Sequence, residues 1–115
     1  MTVEQDGPET CEVAGGGGFV RMKIPVRVFG ETQKTTPLSC YQVEDFMGRE
    51  TTWSRLSESR ASVTFRIPVM LLQEGARLTL EVFRIDRPTG HETLWTRRYR
   101  ARWVNGRPEM EPSPG

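Results

Sequence analysis

Regular alternation of apolar and polar side chains is the feature that most constrains the fold of this chain. Between positions 20 and 28 every second residue is apolar, and the intervening residues are Arg21, Lys23, Pro25 and Arg27. The same alternation recurs at 61–67, 76–82 and 98–103. Because successive side chains of a strand point to opposite faces, this pattern predicts half-buried β-strands.

Turn residues separate these segments and limit how the strands connect. Gln73-Glu74-Gly75 and Asp86-Arg87-Pro88-Thr89-Gly90 are typical of tight connections between antiparallel strands. The stretch 37–57 is less regular, and we interpret it as a strand, a loop and a second strand. The sequence therefore predicts an all-β domain: a small six-stranded antiparallel barrel, with a β-sandwich as the alternative.

Both ends of the chain differ from this pattern in composition. Residues 1–18 contain four acids and no base, and they end in four consecutive glycines. Residues 106–115 combine prolines and glycines with two acids. Such segments bury little apolar surface, so the sequence predicts a flexible, acidic, glycine-rich arm over 1–18 and a disordered tail over 106–115. One β-barrel domain, 19–105, lies between them.

Residues able to carry out catalysis or to hold a metal are few. His91 is the only histidine and follows the turn glycine, so we interpret it as a lone polar residue at the surface. Cys11 and Cys40 lie 29 positions apart with no CxxC pair, which favours free thiols over a metal site. The glycines 15–18 precede a strand and lack the Lys-Ser/Thr pair of a phosphate loop. The sequence predicts no catalytic residue, no metal and no cofactor, and therefore a protein that is not an enzyme.

The net charge is only +1, but charge is unevenly distributed along the chain. Residues 19–105 carry fifteen bases against nine acids, an excess that favours an anionic ligand or an acidic partner. The N-terminus is acidic and lacks the basic start and apolar stretch of a secretory signal. No apolar run approaches the roughly 20 residues of a spanning helix. We therefore expect a cytoplasmic protein without a membrane span.

Three arginines at alternate positions are the most distinctive local feature. They are Arg98, Arg100 and Arg102, and strand alternation places them in one outward row with about 7 Å between neighbours. This arginine row could hold a phosphodiester or an acidic protein segment, because guanidinium groups bind phosphates and carboxylates through paired hydrogen bonds. The alternative is that the charges keep an adhesive sheet face or edge from aggregating.

Four segments of the chain resemble the PilZ domain family. They are Ile24–Gly30, Leu56–Val63, Leu72–Leu80 and Arg100–Gly106, within a similarity that spans residues 20–106. The resemblance implies a six-stranded β-barrel that, in typical members, binds cyclic di-GMP through an RxxxR segment and a (D/N)xSxxG motif.

Both nucleotide-binding motifs of that family are degraded in this chain. The second motif falls on 55–60, where Ser57 alone is kept and Arg60 replaces the small final residue. The first falls near 15–20, where the arginine pair is missing and Arg21 is the nearest arginine. The resemblance therefore implies a PilZ-like scaffold whose usual cyclic di-GMP site is lost.

Three functional hypotheses follow from these features. The first is a PilZ-like regulatory adaptor that binds a protein partner, with the arginine row in its contact surface. The second is a receptor for cyclic di-GMP or another anionic nucleotide, with a rebuilt site formed by Arg21, Arg55, Ser57 and Arg60. The third is an immunoglobulin-like sandwich with a structural or assembly role. Nucleic acid is not expected as a partner.

Overall fold

Ten β-strands and short 3₁₀ turns make up the part of the chain that the structure describes. This computed structural model describes residues 2–30, 37–86 and 90–114. The strands are β1 (Thr2–Gln5), β2 (Thr10–Ala14), β3 (Phe19–Phe29), β4 (Leu38–Val43), β5 (Phe46–Gly48), β6 (Thr51–Arg55), β7 (Arg60–Pro68), β8 (Arg77–Asp86), β9 (Gly90–Val104) and β10 (Arg107–Pro112). Every segment whose alternation predicted a strand corresponds to one of them, although β8 begins at Arg77, one residue later than predicted.

The first sheet is built on β3, its longest strand. β3 pairs antiparallel with β7, from Phe19 opposite Pro68 to Arg27 opposite Arg60. Its other edge is covered by β2 beside its first half and by β1 beside its second half. β6 pairs with β7 and forms the opposite edge of the sheet.

The second sheet has the strand order β10-β9-β8-β4-β5, with antiparallel pairing throughout. The pairing of β8 with β9 shifts register between Val82 and Phe83. Val82 is opposite Trp95 and Phe83 is opposite Thr93, so the extra residue is Leu94 of β9. Val82 belongs to the core, whereas Phe83 is buried outside it, against the ring of His91.

One apolar core lies between the two sheets. The first sheet contributes the fully buried Met22, Ile24, Phe65 and Ile67, and the second contributes Tyr41, Leu78, Leu80 and Tyr99. Burial of each such side chain stabilises the fold by about 1.5–3 kcal/mol relative to exposure. The packing of the two inner faces against each other is therefore the main source of stability.

The two-sheet arrangement corrects the expected six-stranded barrel. The sheets do not join into a closed barrel, because neither β1 and β2 nor β6 is paired with a strand of the second sheet. The chain changes sheet three times, between β3 and β4, between β5 and β6 and between β7 and β8, which places these consecutive strands in opposite layers. The all-β class and the antiparallel pairing agree with the sequence prediction, and two packed sheets agree with its β-sandwich alternative.

The ends of the chain also differ from the sequence prediction. The expected arm 1–18 contains β1 and β2, both paired with β3, and the expected tail 106–115 contains β10, paired with β9. Val3 is only 4% exposed, and Val13 and Met110 pack against the core. Composition concealed these strands, because an edge strand needs few apolar residues when its backbone pairs with a long neighbour.

Two further expectations concern the connections. The stretch 37–57 contains three strands, β4, β5 and β6, where the sequence predicts two. The expected turn at 86–90 lies largely outside the described residues, although β8 and β9 on either side of it are antiparallel partners. In the described ranges, no helix has the length and apolarity needed to cross a membrane.

Candidate functional site

The arginine row lies on the outer face of the second sheet, along β9. Tyr99 and Ala101 point into the core and are buried, so alternation turns Arg98, Arg100 and Arg102 outward. All three arginines are exposed. The row therefore lies on a sheet face that a partner can reach.

The three arginines differ in how far their charges are already compensated. Arg102 forms ion pairs with Glu74 at 3.5 Å and with Glu111 at 3.1 Å. Arg98 and Arg100 form no side-chain hydrogen bond or ion pair with the described residues. Arg100 lies directly opposite Arg77 of β8, a juxtaposition of like charges that an anion would relieve. Two guanidinium groups of the row thus remain available to a ligand.

A shallow polar groove of about 420 Å³ runs beside Arg98 and Arg100. Its remaining polar lining consists of Arg77, Gln42, Thr79, Ser113 and the acids Glu44 and Asp45. The groove brings together β4, β8, β9 and the segment after β10, which are far apart in sequence. We call it the arginine groove.

Glu44 neutralises the third arginine of the arginine groove. Its carboxylate accepts a hydrogen bond from the backbone N–H of Arg77 at 3.0 Å and another from the Arg77 guanidinium at 3.3 Å. The backbone hydrogen bond and then the Arg77 charge hold the pKa of Glu44 below its usual value. The positive potential of the groove is therefore concentrated at Arg98 and Arg100, while its β4–β5 end is acidic.

The four residues proposed for a nucleotide site do not come together. Arg55, Ser57 and Arg60 share the hairpin between β6 and β7, where Ser57 Oγ accepts a hydrogen bond from the Arg60 backbone N–H at 3.2 Å. Arg21 lies six residues along β3 from Arg27, the partner of Arg60, which separates it by about 20 Å. A ligand of dinucleotide size would have to bridge the length of the sheet to contact all four.

Arg60 also forms an ion pair within the protein, with Asp6. Its carboxylate accepts one hydrogen bond from Arg27 Nε and one from Arg60 Nε, each at 3.1 Å. Arg27 and Arg60 are opposite each other on β3 and β7, so Asp6 offsets their mutual repulsion. Sequence analysis missed this bridge, because the segment containing Asp6 showed no strand pattern.

His91 has close partners on the same sheet, contrary to its interpretation as a lone surface residue. Its Nε2 lies 2.8 Å from a carboxylate oxygen of Glu81, and its ring stacks on Phe83 with centroids 4.4 Å apart. Thr93 donates to the same carboxylate, and Cys40 Sγ donates to it at 3.6 Å. Glu81 is therefore the centre of a small polar cluster.

This cluster is poorly suited to nucleophilic catalysis. Burial, and secondly the charge of Glu81, raise the pKa of Cys40 to about 11, which keeps the thiol protonated at neutral pH. The Glu81 carboxylate receives the hydrogen bonds of both Cys40 and His91, so the imidazole is directed to the acid and not to the thiol. The other thiol, Cys11, is also free, and burial raises its pKa as well.

The cluster leads to a prediction on pH-dependent stability. Burial alone would raise the pKa of Glu81, but the hydrogen bonds from His91 and Thr93 more than offset it and lower this pKa. A depressed carboxyl pKa contributes stability above the pKa of the unfolded state and loses it as pH falls. Glu81→Gln is expected to lower the free energy of unfolding by about 1–2 kcal/mol at neutral pH. Urea unfolding should show this deficit shrinking in acid.

The control for this prediction is Glu109→Gln. Glu109 is exposed on β10 and forms no ion pair with the described residues. The variant should unfold like the parent at neutral and acidic pH alike. If Glu81→Gln lowers the free energy of unfolding as much in acid as at neutral pH, the loss comes from the altered packing of the side chain and not from its charge.

Comparison with known proteins adds no assignment to this geometry. Neither family models, nor curated proteins, nor solved structures show a match to the chain. Among the described residues, no group of three or more histidine, cysteine, aspartate or glutamate side chains is arranged to hold a metal ion. The arginine groove is accordingly the best-defined candidate site.

Proposed function

We propose that the protein is a non-enzymatic binding domain that docks an acidic segment of a partner protein in the arginine groove. The observation that supports this proposal is the pair of exposed guanidinium groups of Arg98 and Arg100, neither of which forms an ion pair with a described residue. Most arginines in the described ranges have an acidic partner: Arg21, Arg27, Arg60, Arg77, Arg84, Arg97 and Arg102. Arg98 and Arg100 differ from these seven, and they lie on one strand along the arginine groove.

The chemistry of the arginine groove favours carboxylates on an extended chain. A guanidinium binds a carboxylate through two parallel hydrogen bonds, and Arg98 and Arg100 are two residues apart on one strand. Side chains on one face of an extended segment repeat at about the same spacing of 7 Å, so alternate acids match the two arginines. Exposed ion pairs contribute about 0.2–1 kcal/mol each, which predicts modest affinity and strong dependence on salt.

The experiment measures binding of a fluorescein-labelled poly-glutamate peptide by fluorescence anisotropy at low and high salt. The double variant Arg98→Glu, Arg100→Glu is expected to weaken binding by about tenfold or more. A matched double variant, Lys23→Glu with Arg49→Glu, changes net charge equally at exposed positions away from the groove and should weaken binding much less. Equal loss in the two double variants would contradict the proposal.

The strand order favours one of the sequence hypotheses for the scaffold. If β1 and β2 are lettered A and the following strands B, C, C′, D, E, F and G, the sheets read A-B-E-D and G-F-C-C′, with β10 added beside G. This is the strand order of immunoglobulin-like sandwiches, which supports the hypothesis of an immunoglobulin-like scaffold with a structural or assembly role. Fold alone does not assign a function, so the proposed role depends on the arginine groove.

The other two hypotheses receive less support. The PilZ resemblance implies a closed barrel, whereas the chain forms two open sheets. The resemblance therefore gives the regulatory adaptor hypothesis little support. The nucleotide-receptor hypothesis predicts calorimetric binding of cyclic di-GMP that is lost in the double variant Arg55→Ala, Arg60→Ala. Tight binding with this loss would replace the acidic-segment proposal, and no heat at high micromolar ligand would leave it standing.

A further inference from the structure

Strand β10 places its outward residues directly beside the arginine row. Two of its acids are opposite two of the arginines, in the pairs Glu109–Arg102 and Glu111–Arg100. The pairing continues beyond the end of β10, because the backbone N–H of Ser113 donates to the carbonyl of Arg98 at 2.9 Å. Side chains of opposite residues share a face of the sheet, with Cβ atoms about 5 Å apart. Ser113 therefore holds the position beside Arg98 that acids hold beside the other two arginines.

Two lines of residues that cross the second sheet differ in how their charges are balanced. The first line runs from β10 to the residue after β4 and contains Glu111, Arg100, Arg77 and Glu44. Its two cations are thus matched by two acids. The adjacent line contains Ser113, Arg98, Thr79 and Gln42. Arg98 is the only charged residue in it, so this line lacks an acid.

The neighbouring lines do not supply the acid that Arg98 lacks. Glu81 lies diagonally from Arg98 on β8, but its carboxylate accepts hydrogen bonds from His91 and Thr93. A shallow groove of about 310 Å³ on the other side of Arg98 has no acid in its lining, which consists of Thr96, Arg97, Arg98 and Ser113. The charge next to Ser113 is therefore positive on both sides of Arg98.

The side chain of Ser113 is accessible and has no internal role. Ser113 lines the arginine groove as well as the smaller groove, and its hydroxyl forms no hydrogen bond with the described residues. It is partly exposed, and Pro114 after it is exposed. β10 ends at Pro112, and Pro114 has no N–H to donate, so few backbone hydrogen bonds hold this segment to β9. Such a strand end can detach at low cost and bind an enzyme in extended form.

The residue after Ser113 gives this position a recognisable chemistry. Ser113-Pro114 is the only Ser-Pro dipeptide in the sequence, and proline-directed protein kinases modify serine in that setting. We propose that Ser113 is a phosphorylation site and that its phosphate pairs with Arg98 and closes the arginine groove. The kinase transfers the terminal phosphoryl group of a nucleoside triphosphate to Ser113 Oγ. An O–P bond forms there, the bond from the γ-phosphorus to the bridging oxygen breaks, the nucleoside diphosphate keeps that electron pair, and a base of the kinase takes the hydroxyl proton.

The phosphate would complete an acidic row along β10. It carries close to two negative charges and three acceptor oxygens, and a guanidinium binds two such oxygens in parallel. Acids would then stand opposite Arg98, Arg100 and Arg102 at the spacing expected of the bound acidic segment. Because this internal row is tethered, it competes at high effective concentration. Closure of the groove rests on the proposed function, whereas the pairing of the phosphate with Arg98 does not.

The first test is phosphorylation of the full, folded chain by a mitogen-activated protein kinase with ATP, mapped by mass spectrometry. Thr36 also precedes a proline in the sequence, so the substrate carries Thr36→Ala. One phosphate per chain is expected at Ser113, and Ser113→Ala should remove it. A folded chain that stays unmodified at Ser113 would overturn its assignment as a phosphorylation site.

The second test measures the second pKa of the Ser113 phosphate by phosphorus NMR. A guanidinium beside the phosphate favours the dianion, so this pKa should be lower in the parent than in Arg98→Gln. Lys23→Gln removes an exposed charge from the first sheet and should leave the parent value unchanged. The same pKa in the parent and in Arg98→Gln would overturn the pairing.

The third test repeats the poly-glutamate measurement with the chain phosphorylated at Ser113. The phosphate should weaken peptide binding by about tenfold or more. Phosphoserine installed at Ser54, an exposed position of β6 in the first sheet, adds the same charge and should weaken binding much less. Equal losses would refute closure of the groove. If the unphosphorylated chain binds no peptide, the proposed function fails, and the phosphorus NMR still decides whether the phosphate pairs with Arg98.

Discussion

Replacing Val3 by aspartate is expected to lower the free energy of unfolding by about 3 kcal/mol. Val3 is 4% exposed in β1, lies opposite the fully buried Val28 and belongs to the core. The substitution removes an apolar side chain and places an unpaired carboxylate beside other apolar groups. Urea unfolding followed by circular dichroism measures the loss.

The matched control for Val3→Asp is its neighbour Glu4. Glu4 is exposed and points outward from the same strand, so Glu4→Ala should change stability by no more than about 0.5 kcal/mol. If residues 1–18 formed a flexible arm, neither substitution would change the free energy of unfolding, because neither side chain would be packed. Equal and small effects would therefore show that β1 is not part of the folded domain.

This pair of variants tests the point at which composition misled sequence analysis. The arm 1–18 contains few apolar residues, yet Val3 and Val13 both face inward, with the turn around Gly7 between their strands. A strand pattern needs several alternations to be recognised, and β1 and β2 offer only four and five residues. Their pairing with β3 is a tertiary property that local sequence does not contain.

The strands β3 and β7 could be predicted from the sequence because their alternation is long. The alternation continues over nine residues in β3 and over seven in β7, and the buried apolar positions of the structure are the ones that the pattern places inward. Ser62 of β7 is the exception, since it is buried on the side that the pattern places outward. The number of sheets was not predictable from this alternation. It depends on where the chain changes layer, and the residues that join β3 to β4 or β7 to β8 carry no periodic signal.

The candidate site was also only partly predictable from the sequence. Alternation around Tyr99 placed Arg98 and Arg100 on an outward face of a strand, and the structure places them on the outer face of β9. That Arg77 lies opposite Arg100 depends on the register of β8 and β9, which shifts at Val82. The groove is therefore a product of pairing, and its other lining residues could not be identified from sequence.

Adding a single methyl group at Gly48 is the second change with a large expected effect. A Cβ on Gly48 would lie 2.1 Å from Cζ of Tyr41 and 2.3 Å from its hydroxyl oxygen. Tyr41 is 1% exposed, and its hydroxyl donates to Glu50 at 2.8 Å, so the ring has little freedom to move. Gly48→Ala is expected to lower the free energy of unfolding by about 3 kcal/mol, the upper range for overpacking.

The role of this contact can be isolated in a double-mutant cycle, since Gly48 and Tyr41 are directly opposite on β5 and β4. Tyr41→Leu removes the part of the ring that lies over Gly48, so Gly48→Ala should cost less than about 1 kcal/mol in that background. The aromatic ring covers the glycine and substitutes for its missing side chain. If Gly48→Ala costs the same with leucine as with tyrosine, the loss comes from the backbone of β5 and not from the ring.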